Sequence, residues 1–213
     1  MTANVVITQE DLDAINGINA RVIGWSNPNH YAFFKAMLGY QPIRKMLVLG
    51  VYRGRDICYL LDILNRYHPG RMIEIVGVDR FSDEACADWT PAKERRTWQE
   101  EVDAPPPNLD VATENTRDAR VRLIKTDDFA FLDATAERFD FVYLDTAHDY
   151  NTVSRQLRQV GRVCDRDAIV CGDDYSDHLT WGVKSAVREA FGADGHQVFA
   201  EWIWYGNLSH IKK

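Results

Sequence analysis

From Lys45 onward the chain alternates short runs of strand formers with longer segments of helical period, and most of the apolar runs stop at a glycine or an aspartate. No other feature restricts the fold as strongly. Strands separated by helices must be parallel, and a parallel sheet must be covered on both faces. The clearest run is FDFVYL over 139–144, nearly continuous in aromatic and aliphatic residues, as a strand buried on both faces requires. It breaks at Asp145, and His148 follows three positions later. In open α/β sheets ligands bind outside the carboxyl ends of the strands, so Asp145 and His148 stand where chemistry is expected.

The other strands read as 46–49, 72–78, 121–125 and 168–171. The helices read as 56–67, 108–119, 129–136, 150–163 and 181–191, and Pro69-Gly70 stops the first of them. At the end, 198–205, Gly206-Asn207 and 208–212 read as strand, turn and strand, an antiparallel hairpin. The expected fold is one α/β domain over 1–213: a doubly wound, Rossmann-like seven-stranded sheet, mostly parallel, with helices on both faces.

Two helices precede the sheet. Thr8 and Asp11 have capping-box spacing, and Leu12, Ile15, Ile18 and Val22 recur at helical spacing. Asn27-Pro28 ends that helix, and Tyr31, Phe33, Phe34, Met37 and Leu38 suggest a second. Residues 1–44 therefore read as a helical cover on a core of 45–213, shielding a site or making a homodimer contact. The stretch 81–107 is a polar insertion with an expected helix near 91–101, closed by Pro105-Pro106-Pro107. Its length suits either a lid or a solvated excursion.

A chain of 213 residues suffices for one large domain but not comfortably for two. Charged residues make up 27% and the net charge is −7, which argues against a nucleic-acid surface. The densest basic patch, Lys93, Arg95 and Arg96, lies among Glu94, Glu100 and Glu101 and reads as a solvated helix face. No apolar run approaches the ~20 residues of a membrane span, so a cytoplasmic protein without a membrane partner is expected. Cys58, Cys86, Cys164 and Cys171 show no CxxC spacing and read as reduced, mostly buried thiols.

The first strand runs into Gly50-Val51-Tyr52-Arg53-Gly54 and then a helix. Glycines there let the backbone approach a ligand, and the helix start offers free N–H donors. The spacing lacks a full GxGxxG, which argues against NAD. Asp79 ends the second strand, where a carboxylate accepts both hydroxyls of a ribose or serves as a turn residue. Asp127 and Asp128 end the third; either could accept from an adenine amino group, and Asp127 equally suits a helix N-cap. Asp173 and Asp174 close the run at 168–171. With Asp145 they make three carboxylates, a set that favours a hard cation such as Mg²⁺, with Mn²⁺ or Ca²⁺ as alternatives. A neutral imidazole is a poor Mg²⁺ ligand but a good base near neutral pH, which assigns His148 to proton removal. Individually Asp145 could be an N-cap, and Asp173 and Asp174 a solvated turn. His30, His178 and His210 lack such context and read as surface residues. Tyr150 and Tyr175 suit an acceptor pocket or plain aromatic packing, and Trp202 and Trp204 read as one face of a strand, in core or interface.

The pieces LVLGVYRGRD, IVGVDRF, RFDFVYLDTAHDY and CGDDYSDHLTWGVKSAVREAFG, in this order, resemble a class I S-adenosylmethionine-dependent methyltransferase. More narrowly they resemble the bacterial O-methyltransferases typified by macrocin O-methyltransferase. The likeness covers about 45–191, and DxxH followed by GDDY is its most specific part. It implies that Gly50, Val51, Tyr52 and Gly54 lie along the methionine part of S-adenosylmethionine. It further implies Asp79 and Arg80 at the ribose, and Asp127 and Asp128 near the adenine. Asp145, Asp173 and Asp174 would bind Mg²⁺ or another divalent cation, with His148 and Asp145 at the reaction centre. A small-molecule hydroxyl, on a sugar or a polyphenol of secondary metabolism, would be the acceptor. The family's usual acid two positions before the first glycine is Val48 here, which leaves open a non-catalytic binding relative. An NAD-dependent oxidoreductase shares Gly50, Gly54 and Asp79 but has no use for three clustered acids.

Overall fold

The computed structural model describes residues 5–40, 42–82, 104–178 and 181–211. Helices α1 (Gln9–Arg21) and α2 (Pro28–Tyr40) lead into β1 (Lys45–Leu49), α3 (Arg55–Tyr67) and β2 (Glu74–Asp79). There follow α4 (Leu109–Asn115), β3 (Val121–Lys125), α5 (Asp128–Ala134), β4 (Phe139–Leu144), α6 (Tyr150–Val163) and β5 (Cys164–Gly172). The chain closes with α7 (Val183–Phe191), β6 (His196–Phe199), β7 (Ile203–Asn207) and a short 3₁₀ turn, Leu208–His210. The seven strands form one sheet in the order β3-β2-β1-β4-β5-β7-β6, with β7 antiparallel to both neighbours and every other pair parallel.

Side chains alternate across the sheet with period two, and each set meets its own helices. Met46, Val48, Ile75, Phe141 and Tyr143 join the α1–α2–α3 cluster on one face. Leu47, Leu49, Val76, Val78, Val142 and Leu144 pack against α5, α6 and α7 on the other. Asp140, the one polar residue in β4, accepts the backbone N–H groups of Arg44 and Lys45 at 2.9 and 3.0 Å. It closes the entry to β1 without interrupting the core.

The two leading helices are integral to the first face. The Phe34 ring meets Tyr143 edge-on at 5.1 Å between centroids. The expected capping box at Thr8 forms, and the wholly buried carboxylate of Asp11 also receives Lys35 at 2.8 Å and the Tyr67 hydroxyl at 2.6 Å. The Arg66 guanidinium adds a further bond at 3.2 Å. Burial opposes the charge on Asp11, but these donors hold its pKa below the ordinary carboxylate range.

Three expectations fail here. The hairpin is displaced: its turn falls at residues 200–202 and not at Gly206-Asn207. Gly206 stays extended, pairing with Val170 and His196, because a Cβ there would lie 2.6 Å from the Phe191 ring. Asn207 instead accepts from Ser209 N–H and starts the 3₁₀ turn. The reversal is made by Ala200 and Glu201 at φ of 48° and 71°, residues with no turn signature. Trp202 consequently lies exposed in that turn while Trp204 is buried, so the two share no strand face. Helix α4 is shorter than 108–119, since it ends at Asn115. The helix expected near 91–101, the basic patch and Cys86 lie outside the described residues. Cys58, Cys164 and Cys171 are buried and free. Among the described residues no helix is long and apolar enough to cross a membrane.

If α2 belongs to the cooperative core, Phe34→Ala should cost about 3–5 kcal/mol, the range for emptying a buried aromatic site. Urea unfolding measures this directly; a loss under ~1 kcal/mol would detach the leading helices from the core.

Candidate active site

Parallel register brings the strand ends into line. Leu49 pairs with Val78 and with Leu144, and Leu144 pairs with Gly172. The next residues, Gly50, Asp79, Asp145 and Asp173, therefore emerge along one edge of the sheet. They open on a cleft of about 860 Å³ whose walls also include Trp25, Asp56, Asp128, His148 and Trp181.

The glycine loop is fixed by its neighbours. Gly50 has φ +87°, and a Cβ there would stand 1.7 Å from the carbonyl oxygen of Asp145, so no other residue fits. Asp79 clamps the loop: its Oδ2 accepts the N–H groups of Val51 and Tyr52, each at 2.8 Å, and its Oδ1 accepts Phe81 N–H at 2.7 Å. This bonding role was not read from the sequence. Arg80, Val51, Tyr52, Asp127 and Asp128 all line the cleft. Gly54, at φ +90°, ends the loop and starts α3. The loop is tied to the leading helices by Arg55, which donates to the carbonyls of Val22 and Ser26 at 2.8 and 3.2 Å.

Asp127 caps α5 through Ala130 N–H at 3.1 Å. The Asp128 carboxylate accepts from the buried Gln156 amide, which also donates to the Thr146 hydroxyl at 2.6 Å. Burial raises the Asp128 pKa despite that bond.

The acid cluster lies across the cleft. Ligand atoms of Asp145, His148 and Asp174 come within 4.8 Å of one another. His148 Nε2 meets Asp174 Oδ2 at 2.7 Å, and its ring lies against Trp181 at 4.7 Å. Asp145 is no helix cap, because Asp149 caps α6 through the N–H groups of Asn151 and Thr152. Asp174 sits at φ 57°, in the left-handed region, which costs a non-glycine residue ~1–3 kcal/mol. Burial, and after it the charges of Asp173, Asp56, Asp174 and Asp79, push the Asp145 carboxyl well above its ordinary range. Such mutual repulsion is what a bound cation relieves, and the donor set fits one.

Asp173 is turned differently. Its Oδ2 meets His30 Nε2 at 2.7 Å, while its buried Oδ1 has no hydrogen-bond partner. The expectation that His30 is a surface residue is therefore wrong: it is 5% exposed. Its Nδ1 accepts the Asn27 N–H at 3.1 Å, which leaves Nε2 to carry the proton donated to Asp173. Nothing in a single histidine near a helix start signals a partner 143 residues away. Asp56 was also missed, because an acid in the first turn of a helix is already explained by the helix dipole. Tyr150 and Tyr175 do not line the cleft; their hydroxyls go to Glu189 and to His196.

His30→Ala would leave both oxygens of Asp173 without a protein donor, at a cost of about 1–3 kcal/mol. His30→Gln, which can still donate, should lose less. Chemical denaturation at neutral pH compares them, and identical midpoints for wild type and His30→Ala would contradict the contact.

A family model described as a methyltransferase domain matches residues 47–175. Comparison with curated proteins gives no match. Among solved structures, cofactor-bound Rv0187 from MTB aligns with TM-score 0.60 at 16% identity, over 97% of this chain and 93% of that one. The O-methyltransferase NovP aligns with TM-score 0.61 at 18% identity, over 84% and 78%. CalS11, described as a TDP-rhamnose 3'-O-methyltransferase, aligns with TM-score 0.53 at 15% identity, over 94% and 81%. These likenesses are of fold. The family match spans more than half of the chain, from β1 past the acid pair, and on that ground the chain belongs to the methyltransferase domain family, within the class I S-adenosylmethionine-dependent methyltransferases.

Proposed function

We propose that this methyltransferase is a divalent-metal-assisted O-methyltransferase acting on a hydroxyl of a small molecule, a sugar or a polyphenol of secondary metabolism. The observation that carries the reading is that the Asp145–His148–Asp174 cluster and the glycine loop open on one cleft. A sugar acceptor is in keeping with the description of CalS11, and the aromatic walls Trp25 and Trp181 suit a flat or ring-shaped acceptor.

S-adenosylmethionine, when bound, supplies a methyl group already activated by its sulfonium. Gly50, Val51, Tyr52 and Gly54 would line its methionine part, and the one lone-pair site that Asp79 does not spend on the loop would take a ribose hydroxyl. Asp127 and Asp128 would stand near the adenine. A divalent cation held by Asp145, Asp173 and Asp174 would supply Lewis acidity that lowers the pKa of the acceptor hydroxyl. The remaining work is alignment and proton removal. The cleft walls would orient an acceptor hydroxyl toward the cofactor, which would convert an encounter into an oriented reaction. The His148 imidazole takes the hydroxyl proton, and the Asp174 carboxylate beside it orients the ring and stabilises the imidazolium.

A second reading rests on the 4.8 Å cluster itself, in which His148 and not Asp173 is the third member. There His148 would be a ligand, and a softer ion such as Mn²⁺ or Zn²⁺ would be preferred. Metal affinity separates the two: His148→Ala leaves it unchanged if the imidazole is the base and weakens it if the imidazole is a ligand. A third reading, a binding relative without catalysis, draws on Val48, which is buried in the core. The family match sets aside the nicotinamide reading.

Methyl transfer to a panel of hydroxyl acceptors should disappear with a chelator, return with Mg²⁺, and be abolished by Asp145→Ala. Turnover indifferent to both would refute the metal role. His148→Ala should lower turnover by about 10²–10⁴-fold while leaving cofactor affinity within twofold; an equal loss of both would make the histidine structural.

A further inference from the structure

We infer that Asp56 is the acceptor for the primary ammonium of the bound cofactor, an assignment that rests on the cofactor reading above. The end of β1 brings no carboxylate to the cleft, because Leu47, Val48 and Leu49 are all buried apolar side chains. Asp56, in the first turn of α3 just beyond Gly54, lines the cleft with Gly50, Tyr52 and Ser26. Its Oδ1 is buried and has no hydrogen-bond partner. Ser26 stands beside it in the wall of the cleft.

A helix-start acid ordinarily finds its use in the backbone N–H groups around it, yet none of these reaches Asp56 Oδ1. Nor does the neighbouring Arg55 answer it, since that guanidinium is turned to Val22 and Ser26. A buried carboxylate oxygen without a donor is costly, and the cost is removed by a proton or by a cationic donor. His30, whose charge acts on Asp56, has both ring nitrogens engaged, with Asn27 and Asp173. The Asp145 and Asp173 carboxylates are near enough for their charges and that of Asp56 to act on one another, but neither can donate to it. Oδ1 is left for a donor carried by the ligand. A primary ammonium has both the charge and the three N–H groups to satisfy it.

The test is a cycle across protein and ligand. Calorimetry would compare wild type and Asp56→Asn, each with S-adenosylhomocysteine and with its analogue lacking the amino group, after thermal melting shows both proteins folded. Asp56→Asn should weaken S-adenosylhomocysteine binding about 10- to 100-fold and the deaminated analogue by less than twofold. Asp56→Glu, which keeps the charge, should recover part of the loss. Equal weakening of both ligands, or no weakening, overturns the assignment and leaves the cofactor reading standing. Failure of wild type to bind S-adenosylhomocysteine at all would remove that reading, and this inference with it.

Discussion

The site depends on the close approach of two strand ends. Gly50 follows β1 and Asp145 follows β4, and the missing Cβ of the glycine is the space into which the Asp145 carbonyl fits. With that contact made, the parallel register carries Asp79 and Asp173 to the same edge, and the loop over 50–54 folds back onto Asp79. Loop and acid cluster then share a cleft because the backbone leaves them no other place. The leading helices add a second constraint: α2 delivers His30 to Asp173, and Arg55 binds the segment after α1 to the start of α3. The residues matched by the family model thus make only part of the site; the rest is supplied by the helical cover.

Carboxylates outnumber the cationic side chains along the cleft. Asp56, Asp79, Asp145, Asp173 and Asp174 lie around it, and four of them act on Asp145 strongly enough to raise its pKa once burial has done most of the work. Buried carboxylates in this number cost stability unless something positive joins them. Histidine contacts and backbone N–H groups satisfy part of the demand, at Asp173, Asp174 and Asp79. What is left is an arrangement suited to cations. Holding that arrangement ready in the folded chain reduces the reorganisation needed when the reactants enter.

Much of this was legible in the sequence where local chemistry and tertiary demand coincide. The strand over 139–144 and the helix over 150–163 occur at their expected bounds, since burial on both faces and a strong amphipathic period leave little choice. Gly50 could be singled out by its place after the first strand, and Asp145 and Asp174 because acids and a histidine recur at successive strand ends, although each alone has an ordinary explanation. Asp56 and His30 could not, because each has an ordinary local explanation, and the contacts that matter come from elements far away in the chain. The hairpin failed for a related reason. Gly206 looks like a turn residue, but it is required for a close packing contact with Phe191, which only the assembled sheet reveals.

The central claim is that the carboxylates at the ends of β4 and β5 gather a cation beside the methyl donor. Crystals grown with S-adenosylhomocysteine and Mn²⁺, with anomalous scattering recorded at the manganese edge, test it most directly. The account predicts one strong peak coordinated by Asp145 and Asp174, on the side of the cleft that faces the cofactor sulfur. No peak at those carboxylates, with cofactor present in the cleft, would contradict it.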